Sequence, residues 1–494
     1  MLLAALDQTA VATALRTIVA DLDPAHGITR MSWIVTAYVL AAAATTPLYG
    51  RLSDMFGRRP CYTAGMTLFL AGSLAAGLAQ SLDQLIAARA VQGAGAGGLI
   101  GLSFAVVADL APGRSRGRYQ GYFGAVFAVG SVAGPLLGGF LAQQQPWPGD
   151  FASWRWVFLL NLPLGLVGLA MALPAMSRPS RKRSGARVDV AGALLLVGGV
   201  CTALLVAEWG GQRYRWTDRP LLATATTAAV LLVTFVLWER HLARRADARP
   251  DRPIAPLLQL RLLGRPVLRL AVPVAAIVGA TTFGAIVYIS LYLQVENGLD
   301  PITAGLHLVP MMAGVLLGST GSGSVISRFG RYEFFPVAGT CLAAIGLTLL
   351  GSLPAHSSAV GLSVDIFLLG LGLGLVTQVL VLAVQNSSGP EQLGAATATV
   401  TFFRQLGGAF GASLFGAVLA ARLAGASALV EDPARLRELS PAAARAAAGE
   451  FADAAHAVFL TAAALMAFAF VLSVRLLVLL RRAGATAGQP RQAG

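Results

Sequence analysis

The chain has 494 residues, of which 56% are hydrophobic and only 12% charged, whereas a soluble globular domain carries about 25% charged residues. Polar side chains are too few to cover a soluble chain of this length, and a mean hydropathy of +0.69 makes lipid the expected solvent. The formal net charge of +14 does not point to nucleic acid, because the arginines cluster in short segments between apolar runs, as the positive-inside rule requires.

Apolar runs of spanning length predict fourteen membrane helices. Helix 1 is Leu2–Val19, helix 2 Trp33–Leu52, helix 3 Tyr62–Gln80, helix 4 Gln84–Leu110, helix 5 Gln120–Gln143 and helix 6 Trp156–Met176. Helix 7 is Val190–Trp209 and helix 8 Leu221–Glu239. Helix 9 is Leu268–Val295, helix 10 Ala304–Ser327, helix 11 Phe334–Leu353, helix 12 Val360–Asn386, helix 13 Leu393–Ala420 and helix 14 Asp453–Leu480. Helix 1 is short for about 30 Å of hydrocarbon and has no basic flank before it, so the native start is expected upstream. It carries no cleavage pattern and reads as a retained helix. Cys61, Cys201 and Cys341 lie in apolar segments without ligand spacing and read as small apolar fillers.

The connections alternate in charge. Arg51/Arg58/Arg59, Arg114/Arg116/Arg118, Arg178–Arg187, Arg240–Arg269, Arg328/Arg331 and Arg481/Arg482 form a basic set, while Ser81–Asp83, Glu296–Thr303 and Pro354–Ala359 carry no arginine or lysine. The first set is expected on the cytoplasmic side, with both termini inside. Arg213, Arg215 and Arg219 are an exception to the pattern. An internal repeat relates two halves: Gly50-Arg-Leu-Ser-Asp-Met-Phe-Gly-Arg-Arg59 follows helix 2, and Gly323-Ser-Val-Ile-Ser-Arg-Phe-Gly-Arg-Tyr332 follows helix 10. That alignment makes helices 7 and 8 an insertion. The expected units are residues 1–176, a first six-helix bundle; 177–267, a basic loop, two inserted helices and linker; 268–480, a second six-helix bundle; and 481–494, a cytoplasmic tail.

Four motifs carry chemistry. In the loop after helix 2, Asp54 can pair with Arg58, with Asp109 as a second partner, a cluster suited to latching one conformation. Helix 4 holds Arg89 and Gln92, and helix 1 holds Asp7; ionisable groups inside membrane helices are functional candidates by default. Helix 5 carries Gly130, Gly134 and Gly138 on one face, with Pro135 and Gly139 beside them, a groove for another helix. Polar and aromatic positions that suit a substrate cavity are Tyr38, Gln92, Tyr288, Gln378, Gln385 and Arg404.

These motifs together resemble the major facilitator superfamily, and in particular its fourteen-helix drug:proton antiporters. Gly50–Arg59 resembles the signature loop, Arg89/Gln92/Gly93 the helix 4 motif associated with proton coupling, and Gly130–Gly139 the helix 5 antiporter motif. Leu6–Leu15, Trp154–Gly165 and Arg404-Gln405-Leu-Gly407-Gly408 resemble further motifs of the fourteen-helix group. The chain departs from the family in having Arg16 where a proline is usual and Ser327 where the first repeat has Asp54.

The resemblance implies an all-α integral membrane protein of the major facilitator fold, with two six-helix bundles and two inserted helices. It implies a multi-pass protein of a bacterial plasma membrane, acting as a monomer that exports small amphipathic drugs, antibiotics or metabolites by alternating access. Asp7 and Arg89 would couple transport to protons, with the proton gradient as energy source, no cofactor and no nucleic-acid partner. The alternatives are a proton-coupled importer on the same fold and a polytopic membrane enzyme. The enzyme reading lacks support in sequence: the five histidines are scattered, and no metal, Ser-His or phosphate-loop pattern appears.

The orientation is testable by single-cysteine labelling from the outer face. Ser440→Cys should react and Arg183→Cys should not; the reverse pattern would overturn the arginine argument.

Overall fold

The computed structural model describes residues 1–23, 30–111, 115–143, 153–176, 187–210, 214–248, 254–255, 260–296, 299, 301–352, 359–389, 392–423 and 441–487. The basic segment 177–186 and position 440, both used in the labelling test of orientation, lie outside the described residues.

The first half comprises α1 (Leu2–Leu22), α2 (Ser32–Phe56), α3 (Arg58–Gly77), α4 (Leu82–Leu110), α5 (Ser115–Gln143), α6 (Arg155–Leu159) and α7 (Asn161–Ala175). Next come α8 (Val190–Trp209), α9 (Arg219–Ala248) and the short α10 (Leu260–Leu263). The second half comprises α11 (Pro266–Glu296), α12 (Pro301–Leu306), α13 (Val309–Phe329), α14 (Phe335–Leu350), α15 (Ala359–Asn386), α16 (Leu393–Arg422) and α17 (Pro441–Ala487). Among the described residues eleven helices are long and apolar enough to cross a membrane, while α1 and α14 carry shorter apolar stretches.

Each of the fourteen expected helices has a counterpart, with two interruptions that proline explains. Helix 6 is split into α6 and α7 at Leu160, because Pro163 has no N–H to donate to the Leu159 carbonyl. Helix 10 is split into α12 and α13, because Pro310 cannot donate to Leu306. α9 and α17 run well beyond their apolar cores. Both extensions are rich in alanine, which favours helix at little entropic cost.

Within the first half α2 and α3 pack on α4, and α1 packs on α5. Within the second half α11 packs on α16 and α17, and α15 on α13 and α14. The result is two six-helix bundles. The inserted pair α8–α9 leans on α2 and α16 through a cluster that includes Leu40, Leu196, Leu204, Phe235 and Phe402. The pair is locked by Asp189, whose carboxylate accepts from Gly192 N (2.9 Å) at the start of α8 and from Trp238 Nε1 (3.0 Å) on α9. A short parallel bridge, β1 (Arg187–Val188) on β2 (Ile254–Ala255), ties the two ends of the insertion.

The repeat is visible in the backbone. Gly57 and Gly330, the eighth residue of each copy, have φ of 96° and 74°, a region closed to most L-residues. The first residues of the two copies correspond as well. Gly50 of α2 packs on Gly394 and Ala398 of α16, and Gly323 of α13 packs on Gly117 and Gly121 of α5. Each repeat glycine therefore meets a pair of small residues, four apart, on the fifth helix of the opposite bundle.

The glycine face of α5 receives α1. A Cβ on Gly130 would stand 2.9 Å from Ala5 Cβ, on Gly134 2.8 Å from Thr9 Cβ, and on Gly138 2.8 Å from the Ala10 carbonyl carbon. Thr9 donates to the Gly130 carbonyl at 3.2 Å, so the groove is bonded as well as packed. Gly139 points away, with nothing within 4 Å of where its Cβ would be. Gly134→Leu should displace α1 and destabilise the protein by about 1–3 kcal/mol, the usual cost of overpacking, whereas Gly139→Leu should be close to neutral. Thermal unfolding in detergent checks this, and equal effects of the two changes would show that the groove is not a tight contact.

Candidate functional site: a buried ion pair and an interbundle latch

Asp7 on α1 and Arg89 on α4 are both buried, and their side chains meet through Arg89 Nη1 and Asp7 Oδ2 at 2.6 Å. The pair is embedded in a network. Gln92 Nε2 and Asn161 Nδ2 each donate to Asp7 Oδ1 at 2.8 Å. Arg89 Nη1 also donates to Gln92 Oε1 (2.7 Å), and Arg89 Nε to the Ile34 carbonyl (3.1 Å). Ser73 accepts from Gln92 (3.1 Å) and Asn161 (3.0 Å) and itself donates to the Phe158 carbonyl (2.8 Å). The guanidinium carbon lies 4.2 Å from the Tyr38 ring centroid, a cation–π contact in a desolvated place.

Helix geometry explains the assembly. Arg89 and Gln92 are three apart and share a face of α4. That face is brought close to α2 and α3 because Gly93 and Gly95 lie against the Tyr38 and Phe69 backbones. The proline-interrupted turn between α6 and α7 leaves Asn161 at the first position of α7, from which its amide reaches Asp7. At the same end of the bundle, Trp154 donates to Asp21 (2.9 Å), and Arg155 donates to the Gly77 (3.0 Å) and Ala79 (2.6 Å) carbonyls after α3. The Trp-Arg-Trp segment thus ties α1, α3 and α6 together. An isolated buried charge would be costly; a carboxylate accepting three hydrogen bonds, one of them from its counter-ion, is the arrangement that tolerates burial.

The second cluster sits at the opposite end of α2. Arg58 donates to Asp54 Oδ1 (2.6 Å), Asp109 Oδ2 (2.7 Å) and Ser53 Oγ (2.5 Å). Asp54 in turn accepts from Gly394 N (3.2 Å) and Ala395 N (2.9 Å) of the other bundle. These amides are the second and third of α16, whose own flanking residue Gln392 supplies no side-chain cap. Asp54 therefore caps α16 from across the interface, satisfying orphan donors at the positive end of that helix. In the second repeat Ser327 stands in this place and bonds only to Ser324 of its own helix (2.8 Å).

Other interbundle bonds lie toward the same end. Gln120 Nε2 donates to Gln385 Oε1 (3.1 Å), Gln385 Nε2 to the Phe104 carbonyl (3.3 Å) and to Thr397 Oγ1 within its own bundle (3.0 Å), and Thr46 to Gln405 (3.4 Å).

The cavity candidates are distributed differently from the expectation. Tyr38 and Gln92 are part of the Asp7 network. Tyr288 donates to the Ala412 carbonyl (2.9 Å) and packs on Phe415, within the second bundle. Gln385 is an interbundle tie. Gln378 is buried with its Oε1 unpartnered among the described residues, facing Gly124 of α5. Arg404 is partly accessible. Asn161 and Ser73 were not singled out as site residues. Asn161 lies inside the helix 6 motif, and an asparagine in an apolar helix is itself a signal; Ser73 gives none in sequence. No group of acidic, histidine or cysteine side chains that could hold a metal occurs among the described residues.

Comparison with known proteins agrees with the architecture. Residues 1–412 match the family model for the Major Facilitator Superfamily. The chain is 36% identical, over 96% of its length and 68% of the relative's, to the uncharacterized MFS-type transporter Rv1877 of Mycobacterium tuberculosis. It is 33% identical to the multidrug transporter protein MdtP of Bacillus subtilis, covering 85% of this chain and 74% of that one. It is 30% identical to the efflux pump dotC of Dothistroma septosporum, covering 91% and 73%. Among solved structures, the human organic anion transporter MFSD10 (TETRAN) superposes with a TM-score of 0.63 at 17% identity, over 96% of this chain and 97% of that one. The proton:xylose symporter XylE superposes with a TM-score of 0.61 at 14% identity, over 96% and 93%. With the repeat, the two bundles and these matches in hand, the chain belongs to the major facilitator superfamily and is a multi-pass membrane transporter rather than an enzyme.

Proposed function

We propose that this transporter is a proton-coupled exporter of small amphipathic compounds, working by alternating access between the two bundles. The observation that carries the reading is the Asp7–Arg89 network. A carboxylate buried without solvent contact in the first bundle, held by an arginine and by two amides that also bond one seryl hydroxyl, is an arrangement that adding or removing one proton would reorganise. α1, which carries Asp7, packs closely on the glycine face of α5, so a change at Asp7 is passed to that contact. Protonation of Asp7 would weaken its bond to Arg89 and allow α1 to shift along that face.

In this scheme residues 1–176 and 268–480 are the rocking bodies and residues 177–267 the insertion beside them. With the basic connections and both termini placed in the cytoplasm, the Asp54 latch closes the cytoplasmic end. The latch stabilises this state through bonds that exist only when α16 abuts α2. Identities of 30–33% to proteins named as multidrug transporters and efflux pumps support export over import. The antiporter-type glycine face of α5 does the same.

Inverted membrane vesicles offered a panel of drugs, dyes and metabolites, with and without an imposed proton gradient, test the reading. Gradient-dependent accumulation is expected. Asp7→Asn should abolish it while preserving downhill exchange of the same compound. Normal uphill pumping by Asp7→Asn would place the coupling proton elsewhere, and gradient-driven movement only in the opposite direction would select the importer.

A further inference from the structure

Arg404 is a charge within a membrane helix that the coupling and latch clusters leave unused. It is the twelfth residue of α16, about 17 Å from the start of that helix at 1.5 Å per residue, which puts it deep within the span. An arginine at such depth is costly unless its charge is met, and such residues mark binding or conduction paths. Arg89 offsets this with Asp7 and its network. Arg404 makes no hydrogen bond, ion pair or ring contact among the described residues, and its side chain remains partly accessible.

The direction of the side chain follows from the helix. The exposed apolar residues Phe410 and Leu414 mark the outer face of α16, and Arg404 lies about 100° around from their midpoint at 100° per residue. Thr397, seven residues earlier and about 20° away on the wheel, bonds to Gln385, which reaches Gln120 in the other bundle. Arg404 shares this face about two turns beyond the closed end, and Gly411, seven residues later and about 20° away on the wheel, packs on Ala280 of α11, so the side chain leaves α16 on the face turned to α11 and α15. One turn before Arg404, Thr401 is fully buried with a hydroxyl that has no partner among the described residues. Two independent features therefore coincide: an uncompensated guanidinium with access to space, and an unpartnered hydroxyl one turn away. Both are donors that lack an acceptor.

We propose that Arg404 and Thr401 form an anion-binding subsite on the face of α16 turned to α11 and α15, which receives the acidic group of an amphipathic organic monoanion while the apolar residues around it hold the rest of the molecule. A guanidinium offers a forked donor set matched to carboxylate, sulfonate or phosphate, and the hydroxyl supplies a further donor. With Asp7 bonded to Arg89, the Arg404 guanidinium has no carboxylate partner among the described residues, which disfavours a cation beside it. The inference rests on reading the space beside this face as part of the substrate path. It concerns charge selection and is independent of the identity of the coupling proton.

The test uses the purified full chain in neutral detergent without any gradient, so that a failure of coupling cannot mimic a failure of binding. The probes are 2-naphthoate and 2-naphthyltrimethylammonium, which share an apolar body and differ in charge, followed by titration calorimetry. Naphthoate should bind at least about tenfold more tightly than the cation, a difference that one charge-assisted contact readily supplies. Arg404→Gln should lose about that factor for naphthoate alone, Arg404→Lys should retain most of it, and Thr401→Val should show a smaller loss. Arg404→Gln removes a desolvated charge, so it should fold; unchanged melting of both Arg404 variants checks this. Equal binding of the two probes, or undiminished naphthoate binding by Arg404→Gln, overturns the proposal. Displacement of naphthoate by phosphatidylglycerol in an Arg404-dependent manner would assign the site to a lipid headgroup and overturn it as well.

Discussion

The first bundle is organised around one electrostatic constraint: a carboxylate and a guanidinium have been removed from water and must satisfy each other. Removing one partner of such a pair costs about 3–5 kcal/mol because the survivor is left uncompensated. Many local features follow from meeting that requirement. Gln92 and Asn161 occupy the remaining acceptor capacity of Asp7, Tyr38 covers the guanidinium face, and Gly93 and Gly95 let α4 approach closely enough for the bonds to form. A carboxylate so closely bonded is held in one charge state and released in the other, which is what the proposed proton-operated element requires.

The two halves share a backbone plan and differ in charge. Gly50 and Gly323 contact opposite bundles in the same way, and Gly57 and Gly330 both take a positive φ. On that common frame the first half carries Asp7, Asp54, Arg58 and Arg89, while the second has Ser327 in the place of Asp54 and Arg404 without a carboxylate partner. Asp54 reaches the amides at the start of α16, so one bundle caps a helix of the other. The capping energy is available only in the closed arrangement, and a cap of this kind is worth about 0.5–2 kcal/mol. That is small enough to be released in a transport cycle and large enough to bias a two-state equilibrium several-fold.

Most of the architecture was legible in the sequence because lipid imposes a length and an apolar composition on each helix. The Val190–Trp209 helix is found at the expected residues, since both its ends are marked by polar residues or glycine. The breaks at Leu160 and at His307–Leu308 were missed because hydropathy is blind to a missing N–H, although Pro163 and Pro310 were there to be read. At the site, Asp7, Arg89, Asp54, Arg58 and Asp109 could be picked out because charge is rare in such helices. Their mutual contacts could be suspected only from spacing. Ser73 gave no signal, since serine is common in membrane helices, and Tyr38, Gln92, Tyr288 and Gln385 were read as cavity residues because polarity alone does not say which neighbour will satisfy it.

The central claim is that the Asp7–Arg89 pair exchanges a proton when substrate binds. It is tested most directly by measuring that proton. Purified protein in weakly buffered detergent solution, with a pH-indicating dye, is mixed with a compound identified by vesicle uptake. If substrate and proton compete, linkage requires that binding of one expels the other. The native protein should release a proton for each molecule bound, over a pH range in which Asp7→Asn binds the same compound and releases none. Equal proton release by native protein and Asp7→Asn would contradict the account.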